Sequence, residues 1–171
     1  MRELITQLKR DFPAIQFTAS SRYMWQPDKQ IVHFSEATDD VTAQWSLLHE
    51  LSHGVLSHQT YRSDIALLLM EAEAWEKASE LANSYLNPEQ QIDPDHIQDC
   101  LDTYRDWLYA RSKCPKCEQT GLQSDPATYQ CINCRQSWRV SGQRFHRPYR
   151  MCIQSKIKTS PAQKSETAKF Y

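Results

Sequence analysis

The 171-residue chain has no apolar run of the roughly 18 residues that a membrane helix requires. Its first residues mix charged and apolar side chains, so they lack the hydrophobic block of a secretory signal peptide. No internal repeat or low-complexity tract interrupts residues 1–111. From these absences and the chain length we expect a cytoplasmic protein without a membrane partner, built around one sizeable core with a small appendage.

Disulfide bonds are not expected either, although the chain contains six cysteines. Four of them form two Cys-x-x-Cys pairs with 13 residues between the pairs: Cys114 with Cys117, and Cys131 with Cys134. In a reducing compartment this spacing is typical of a structural zinc site with four thiolate ligands. We therefore predict a zinc-ribbon module at residues 112–142, folded by its metal, and leave Cys100 and Cys152 as free thiols.

The net charge of −1 hides a strong asymmetry along the chain. Residues 1–111 hold 9 Lys and Arg against 18 Asp and Glu, whereas residues 112–171 hold 11 against 3. Such a division indicates two parts with different partners, and the basic part is a candidate for an anionic ligand. A solubilising charged tail is the alternative. Residues 143–171 are predicted to be a basic and partly disordered tail.

Cations and aromatics alternate in the basic part, which favours single-stranded nucleic acid because cations neutralise phosphates and aromatic rings stack on bases. Zinc ribbons also serve as protein-docking or purely stabilising modules, and both alternatives stay open. The candidate nucleic-acid contacts are Lys113, Lys116, Arg135, Trp138, Arg139, Arg144 and Arg147.

Hydrophobic periodicity predicts an α+β fold for the first 111 residues. Apolar spacing and capping residues predict four helices, at residues 2–10, 40–58, 64–86 and 93–111. Alternating segments at residues 15–18 and 30–34 predict a small sheet of two or three strands. The second strand directly precedes the helix that carries the most informative motif.

That motif is His49-Glu50-Leu51-Ser52-His53. Two histidines four residues apart project from one face of a helix and can bind one zinc ion. Glu50 then lies beside the open coordination position, where a carboxylate takes the proton of a water whose pKa the metal lowers to about 7. Five residues with three fixed positions also arise by chance, and the alternative is two ordinary histidines on a helix.

A catalytic zinc needs a third protein ligand. The metzincin pattern requires glycine and histidine three and six residues after the second ligand, whereas Gly54 and His58 lie one and five residues after it. Glu71 lies at the edge of the apolar stripe of the next helix, where a carboxylate is costly unless it is paired or metal-bound. Glu73 is about 200° around the axis and projects away. Glu71 is thus the candidate ligand, with a flanking surface glutamate as the alternative.

The sequence resembles the ImmA/IrrE-type zinc metallopeptidases, a gluzincin-like family, in two separated motifs within residues 1–88. They are His49-Glu-Leu-Ser-His53-Gly54 and the Glu71-x-Glu73-Ala74 helix, followed by Ala78 and Leu81. The resemblance departs at Trp75, where members show Asn or Asp, and at Lys77, where they show an aromatic residue. The first departure removes a polar partner that would orient a metal ligand.

The resemblance implies a small zincin-type metallopeptidase domain at residues 1–111, a short sheet plus three to four helices, with His49, His53 and Glu71 as zinc ligands and Glu50 as catalytic base. With the ribbon, two zinc ions are expected. The implied activity is an endopeptidase that cleaves a cytoplasmic regulator such as a transcriptional repressor, with the substrate added as a strand to residues 30–34.

Control of this activity by single-stranded or damaged DNA through the ribbon and tail is a further expectation. Two alternatives remain. One is a SprT-like protease that acts on DNA-protein crosslinks, and the other is an inactive peptidase fold used as a binding or anti-repressor module. His58 and Tyr61 are candidates to help stabilise an oxyanion, and the alternative is that each is structural or exposed.

Overall fold

A computed structural model of the chain describes residues 1–142 and 149–153. The helices lie where the periodicity predicts them: α1 Arg2–Asp11, α2 Val41–Val55, α3 Asp64–Tyr85 and α4 Pro94–Ser112. With two small sheets they form an α+β fold, as predicted. Across the described ranges, no helix combines the length and the apolar character needed to cross a membrane.

The first sheet contains β1 Gln16–Ser20, β2 Met24–Gln26 and β3 Ile31–Ser35 in the order β1-β3-β2. β3 pairs with β1 in parallel and with β2 in antiparallel orientation. The expectation that residues 30–34 accept a substrate strand is therefore wrong, because β3 is central and its backbone is paired on both sides. The strand at the edge beside α2 is β2.

The core lies between this sheet and the helices. Leu47, Leu48 and Leu51 of α2 are fully buried, and Val32 of β3 is buried with them. Burial of each such side chain contributes about 1.5–3 kcal/mol. α2 begins at its N-cap Asp40, whose carboxylate accepts a hydrogen bond of 2.7 Å from the backbone amide of Ala43. The core thus fixes the helix that carries the histidine pair.

The second sheet is antiparallel, with the order β4-β5-β6-β7. Its strands are β4 Gly121–Asp125, β5 Thr128–Cys131, β6 Ser137–Val140 and β7 Arg150–Ile153. The ribbon was predicted to end at residue 142, but β7 adds a fourth strand beyond that point. The backbone of β7 pairs with that of β6, from Val140 opposite Arg150 to Ser137 opposite Ile153. Arg144, Arg147 and most of the predicted tail lie outside the described residues.

The ribbon packs tightly on the helical part of the chain. Arg111 at the end of α4 is only 1% exposed and lies between the rings of Trp107 and Tyr129, 4.5 and 5.6 Å from their centroids. The Tyr129 hydroxyl donates to the carboxylate of Asp64, and the backbone amide of Asp64 donates to Gln123 at 2.9 Å. The first turn of α3 is therefore bound directly to the ribbon.

Candidate metal centre and cleft

Three donor atoms converge between α2 and α3. His49 Nε2 lies 3.1 Å from Glu71 Oε2, and His53 Nε2 lies 3.2 Å from His49 Nε2 and 3.6 Å from Glu71 Oε2. A tetrahedral zinc with bonds of about 2.0–2.2 Å has ligand atoms about 3.3–3.6 Å apart. These three side chains could therefore hold a metal ion, and their spacing and chemistry are compatible with zinc.

Local structure explains the convergence. His49 and His53 are one turn apart on α2 and both are buried. Glu71 lies on the buried stripe of α3 together with Ala74 and Ala78, whose small side chains are fully buried. Glu73, as the helical geometry predicted, is on the exposed side of α3. Packing of α3 on α2 therefore brings the third donor to the histidine pair.

Glu71 is an anion held in a buried place. Burial by itself raises the pKa of this carboxyl, but hydrogen bonds from His49 and His53 and their charges outweigh that effect and hold the pKa well below its usual value. Glu71 is 6% exposed. A buried carboxylate is retained only where a cationic group or a metal compensates it, which is the environment these two imidazoles create.

Unlike His49, His53 and Glu71, Glu50 has its hydrogen-bond partner in β2. Its Oε2 accepts a hydrogen bond of 2.7 Å from the backbone amide of Trp25 in β2. The Trp25 amide therefore faces away from β3, toward α2. The Trp25 indole donates to the carbonyl oxygen of His58 at 3.0 Å, so both ends of this residue are fixed. Sequence reasoning missed Trp25, since a three-residue strand carries almost no periodic signal.

Two cavities meet at Glu50. One, of about 500 Å³, is lined by Glu50, His53, Glu71 and Tyr61, by Trp107 of α4 and by Gly142 of the ribbon. The other, of about 570 Å³, is lined by His49, Glu50, Trp75 and Cys100. Arg22, Tyr23 and Tyr104 line both. The donor triad therefore opens on a cleft to which the sheet, the helices and the ribbon all contribute.

Trp75 occupies the position where the resemblance predicts Asn or Asp. It is buried and stacks on His49, with ring centroids 4.2 Å apart and an interplanar angle of 27°. Within residues 1–142 and 149–153, His49 Nδ1 has no hydrogen-bond partner, and neither has Trp75 Nε1. The stack with Trp75 therefore supports the His49 ring.

His53 differs from His49 in having a polar neighbour. Its Nδ1 lies 2.8 Å from Nδ1 of His58, and His58 Nε2 lies 3.3 Å from Oε2 of Glu73. Burial, reinforced by the nearby His53, lowers the pKa of His58, so a neutral ring is favoured near neutral pH. His58 was expected to be structural, exposed or oxyanion-stabilising, and it lies against His53. The contact of Glu73 with His58 was not foreseen.

The four ribbon cysteines also converge, as their spacing predicted. Sγ of Cys117 lies 3.5 Å from Sγ of both Cys131 and Cys134, and Sγ of Cys114 lies 3.6 Å from that of Cys134. A tetrahedral zinc–thiolate site with bonds of about 2.3 Å has sulfur atoms about 3.8 Å apart. The backbone amide of Gln119 lowers the pKa of Cys117, which favours its thiolate. The cluster could hold a metal ion and is compatible with zinc.

The candidate nucleic-acid contacts divide into several groups. Lys116, Arg135 and Arg139 are exposed, whereas Lys113 is half-buried with its ammonium 4.1 Å from the centre of the Tyr109 ring. Trp138 is fully buried, so its assignment as a base-stacking residue is wrong. Its ring stacks on Tyr129 and its indole donates to the carbonyl oxygen of Arg111. Arg144 and Arg147 lie outside the described residues.

Comparisons of the chain with protein-family models, with curated proteins and with solved structures find no match.

Proposed function

We propose that the chain is a zinc-dependent endopeptidase in which Glu50 is the general base. The observation that carries the proposal is the convergence of His49 Nε2, His53 Nε2 and Glu71 Oε2 at the floor of a cleft that Glu50 also lines. Zinc bound by two imidazoles and one carboxylate acts as a Lewis acid and makes water more acidic. The residues around it have to move the proton and hold the substrate.

Glu50 is arranged for the proton transfer. Its Oε2 is held by the Trp25 amide at 2.7 Å, which fixes the carboxylate and leaves Oε1 to take a proton from water. In hydrolysis the water oxygen bonds to the peptide carbon, the carbon–nitrogen bond breaks, and Glu50 returns the proton to the leaving amine nitrogen. The substrate backbone would lie in the cleft that Glu50 lines.

The substrate class rests on the resemblance of the two motifs to the ImmA/IrrE-type peptidases. It favours a folded regulator such as a transcriptional repressor, cut in an extended segment that can lie along a strand edge. The 500 and 570 Å³ cavities on the two sides of Glu50 are large enough for side chains that flank a scissile bond.

The test is cleavage of a proteome-derived peptide library by the full-length, zinc-loaded protein, with product termini identified by mass spectrometry. Wild type should generate new termini with a shared sequence preference. Glu50→Gln should generate none while retaining zinc, since the amide cannot take the proton. Equal product patterns for wild type and Glu50→Gln would contradict the peptidase proposal and favour the inactive binding module.

The SprT-like alternative requires a histidine as third ligand. The proposal for Glu71 is supported by its position 3.1 Å from His49 Nε2, whereas His58 contacts the opposite nitrogen of His53. Glu71→Gln should lose most of the zinc from this site. Full retention of that zinc would favour a histidine ligand and a protease of the SprT type.

Control by DNA is a second proposal, favoured by the exposed Lys116, Arg135 and Arg139 on the ribbon and by Gly142, a ribbon residue that lines the cleft. The measurement is the cleavage rate with and without single-stranded DNA. An increase that high salt abolishes is expected, because phosphate contacts release counterions. Unchanged rates would remove DNA control and leave the peptidase proposal intact.

A further inference from the structure

His58 is held in one position directly after α2. Ser57 adopts a left-handed backbone conformation with φ of 58°, which turns the chain back toward the helix. The His58 amide then donates to the carbonyl oxygen of His53 at 2.9 Å, and its own carbonyl oxygen accepts from the Trp25 indole at 3.0 Å. The His58 side chain is only 10% exposed. Its ring is therefore fixed by backbone contacts on both sides.

The contacts of His58 define which nitrogen atoms carry protons. A histidine that binds a metal through Nε2 carries its proton on Nδ1. Nδ1 of His53 lies 2.8 Å from Nδ1 of His58, so with a metal on its Nε2 His53 would donate and His58 would accept. His58, as the acceptor at Nδ1, would then carry its proton on Nε2, which lies 3.3 Å from Oε2 of Glu73 and faces that carboxylate. This series of contacts ends at the Glu73 carboxylate, on the protein surface.

We propose that His58 and Glu73 are positioning residues for the metal centre. His58 fixes the ring plane of His53 and its Nδ1–H tautomer, and the Glu73 carboxylate increases the electron-donating strength of His53 through the two hydrogen bonds. Partners of this kind orient a metal-binding imidazole, and their loss typically weakens metal binding by about 10–100-fold. The proposal rests on the proposed function in one respect, the binding of zinc by His53 Nε2.

The two histidines of the motif are thus oriented in different ways. In the described part of the chain His49 Nδ1 lacks a hydrogen-bond partner, and the ring relies on its stack with Trp75. His53 makes an edge contact with His49, with ring centroids 4.8 Å apart. Because His49 Nδ1 has no hydrogen-bond partner among the described residues, the contacts of His58 provide the polar support on the Nδ1 side of the histidine pair.

The experiment compares His58→Leu with His58→Asn in the full-length protein. Asparagine places an acceptor oxygen close to the position of Nδ1, whereas leucine has a similar size and no acceptor. The affinity of the His49/His53/Glu71 site for zinc is measured by competition with a chelator, and the zinc of the four-cysteine site is the internal reference. We expect His58→Leu to weaken zinc binding at the first site by about 10–100-fold and His58→Asn to recover most of that loss.

Glu73 supplies a second variant that does not threaten folding, because its side chain is 60% exposed. Glu73→Ala should lose part of the affinity that His58→Leu loses. Glu76→Ala is the matched control, since it removes the same charge from an exposed position on the same helix. Should His58→Leu fail to fold, the comparison of Glu73→Ala with Glu76→Ala decides the question.

The outcomes separate this inference from the proposed function. Wild-type zinc affinity at the first site in both His58→Leu and Glu73→Ala would overturn the positioning role and leave the peptidase intact. Complete loss of that zinc in His58→Leu without recovery in His58→Asn would also overturn it, since His58 would then be a ligand. A wild-type protein that holds zinc only through its cysteines would overturn the proposed function itself.

Discussion

Trp75 stacks on the imidazole of His49 at a centroid distance of 4.2 Å, and its edge contacts His96 at 5.5 Å. Replacing Trp75 by alanine should lower the free energy of unfolding by about 3–5 kcal/mol because a buried ring leaves a cavity. It should also weaken zinc binding, since His49 Nδ1 has no hydrogen-bond partner among the described residues and the Trp75 stack supports the ring. Trp75→Phe keeps a stacking plane and should retain zinc. Urea unfolding and chelator competition measure both effects, and equal zinc affinity in Trp75→Ala and wild type would contradict the role of the stack.

Metal analysis of the purified protein should find two zinc ions per chain. His49→Ala should reduce this to one, because the remaining histidine and Glu71 make an incomplete site while the four thiolates keep theirs. Inductively coupled plasma mass spectrometry provides the count. A wild-type stoichiometry of one, unchanged by His49→Ala, would mean that only the cysteines bind metal.

Gly54→Ala should disturb the contact between Trp25 and Glu50. An added Cβ would lie 2.8 Å from Cδ1 of Ile15 and 3.0 Å from the Trp25 ring, closer than ordinary contacts. We expect a loss of about 1–3 kcal/mol in unfolding free energy from overpacking, and slower cleavage. Gly142→Ala is the control for stability, because a Cβ there would meet no atom of the described residues within 4 Å. Thermal unfolding that ranks the two variants equally would contradict the packing argument.

Arg111→Met should loosen the junction between α4 and the ribbon. The Arg111 guanidinium donates to the carbonyl oxygen of Pro126 at 2.7 Å and lies 3.8 Å from the Asp64 carboxylate. The variant removes this guanidinium and leaves the Asp64 carboxylate without it. The expected cost is about 3 kcal/mol, as for other broken buried ion pairs. Arg105→Met, on the same helix, removes an exposed pair with Asp102 and should change stability by less than about 1 kcal/mol. Equal losses of unfolding free energy for Arg111→Met and Arg105→Met in urea would contradict a tightly packed junction.

Asp40 should make the stability of α2 depend on pH. Its hydrogen bond from Thr42 and then that from the Ala43 amide lower the pKa of this carboxyl below its usual value. A lowered folded-state pKa stabilises the fold above the unfolded value of about 3.9, and the stabilisation disappears as the pH falls through the folded-state pKa. Asp40→Asn keeps a capping acceptor without the charge, so the melting temperature of wild type should fall relative to this variant only below about pH 4. A difference in melting temperature between wild type and Asp40→Asn that does not change with pH would contradict a lowered pKa of Asp40.

The sequence was informative where the relevant residues are close in the chain or on one helix. His49 and His53 are four residues apart, and the cysteine pairs have ligand spacing, so local geometry places them without knowledge of the tertiary fold. Glu71 required one further step, the identification of the buried face of α3. Its burial at 6% exposure confirms that face.

The sequence failed where pairing between distant segments decides the outcome. β3 is central because β1 pairs with it in parallel and the three-residue β2 pairs on its other side, and neither register can be read from residues 30–34 alone. Trp138 was misassigned for a related reason. Alternating residues of a strand face opposite sides, so Arg139 is exposed while the neighbouring Trp138 is buried against Tyr129 and Arg111.

The attachment of the ribbon to Asp64 has a mechanical consequence for the metal centre. Asp64 and Glu71 belong to the same helix, seven residues or about 10 Å apart along its axis, so a tilt imposed at the first turn displaces the Glu71 carboxylate as well. Metal–ligand distances tolerate errors of only about 0.2 Å. We therefore expect oxidation of the ribbon thiols to change the position of Glu71 relative to His49 and His53, because α3 connects the ribbon to that cluster.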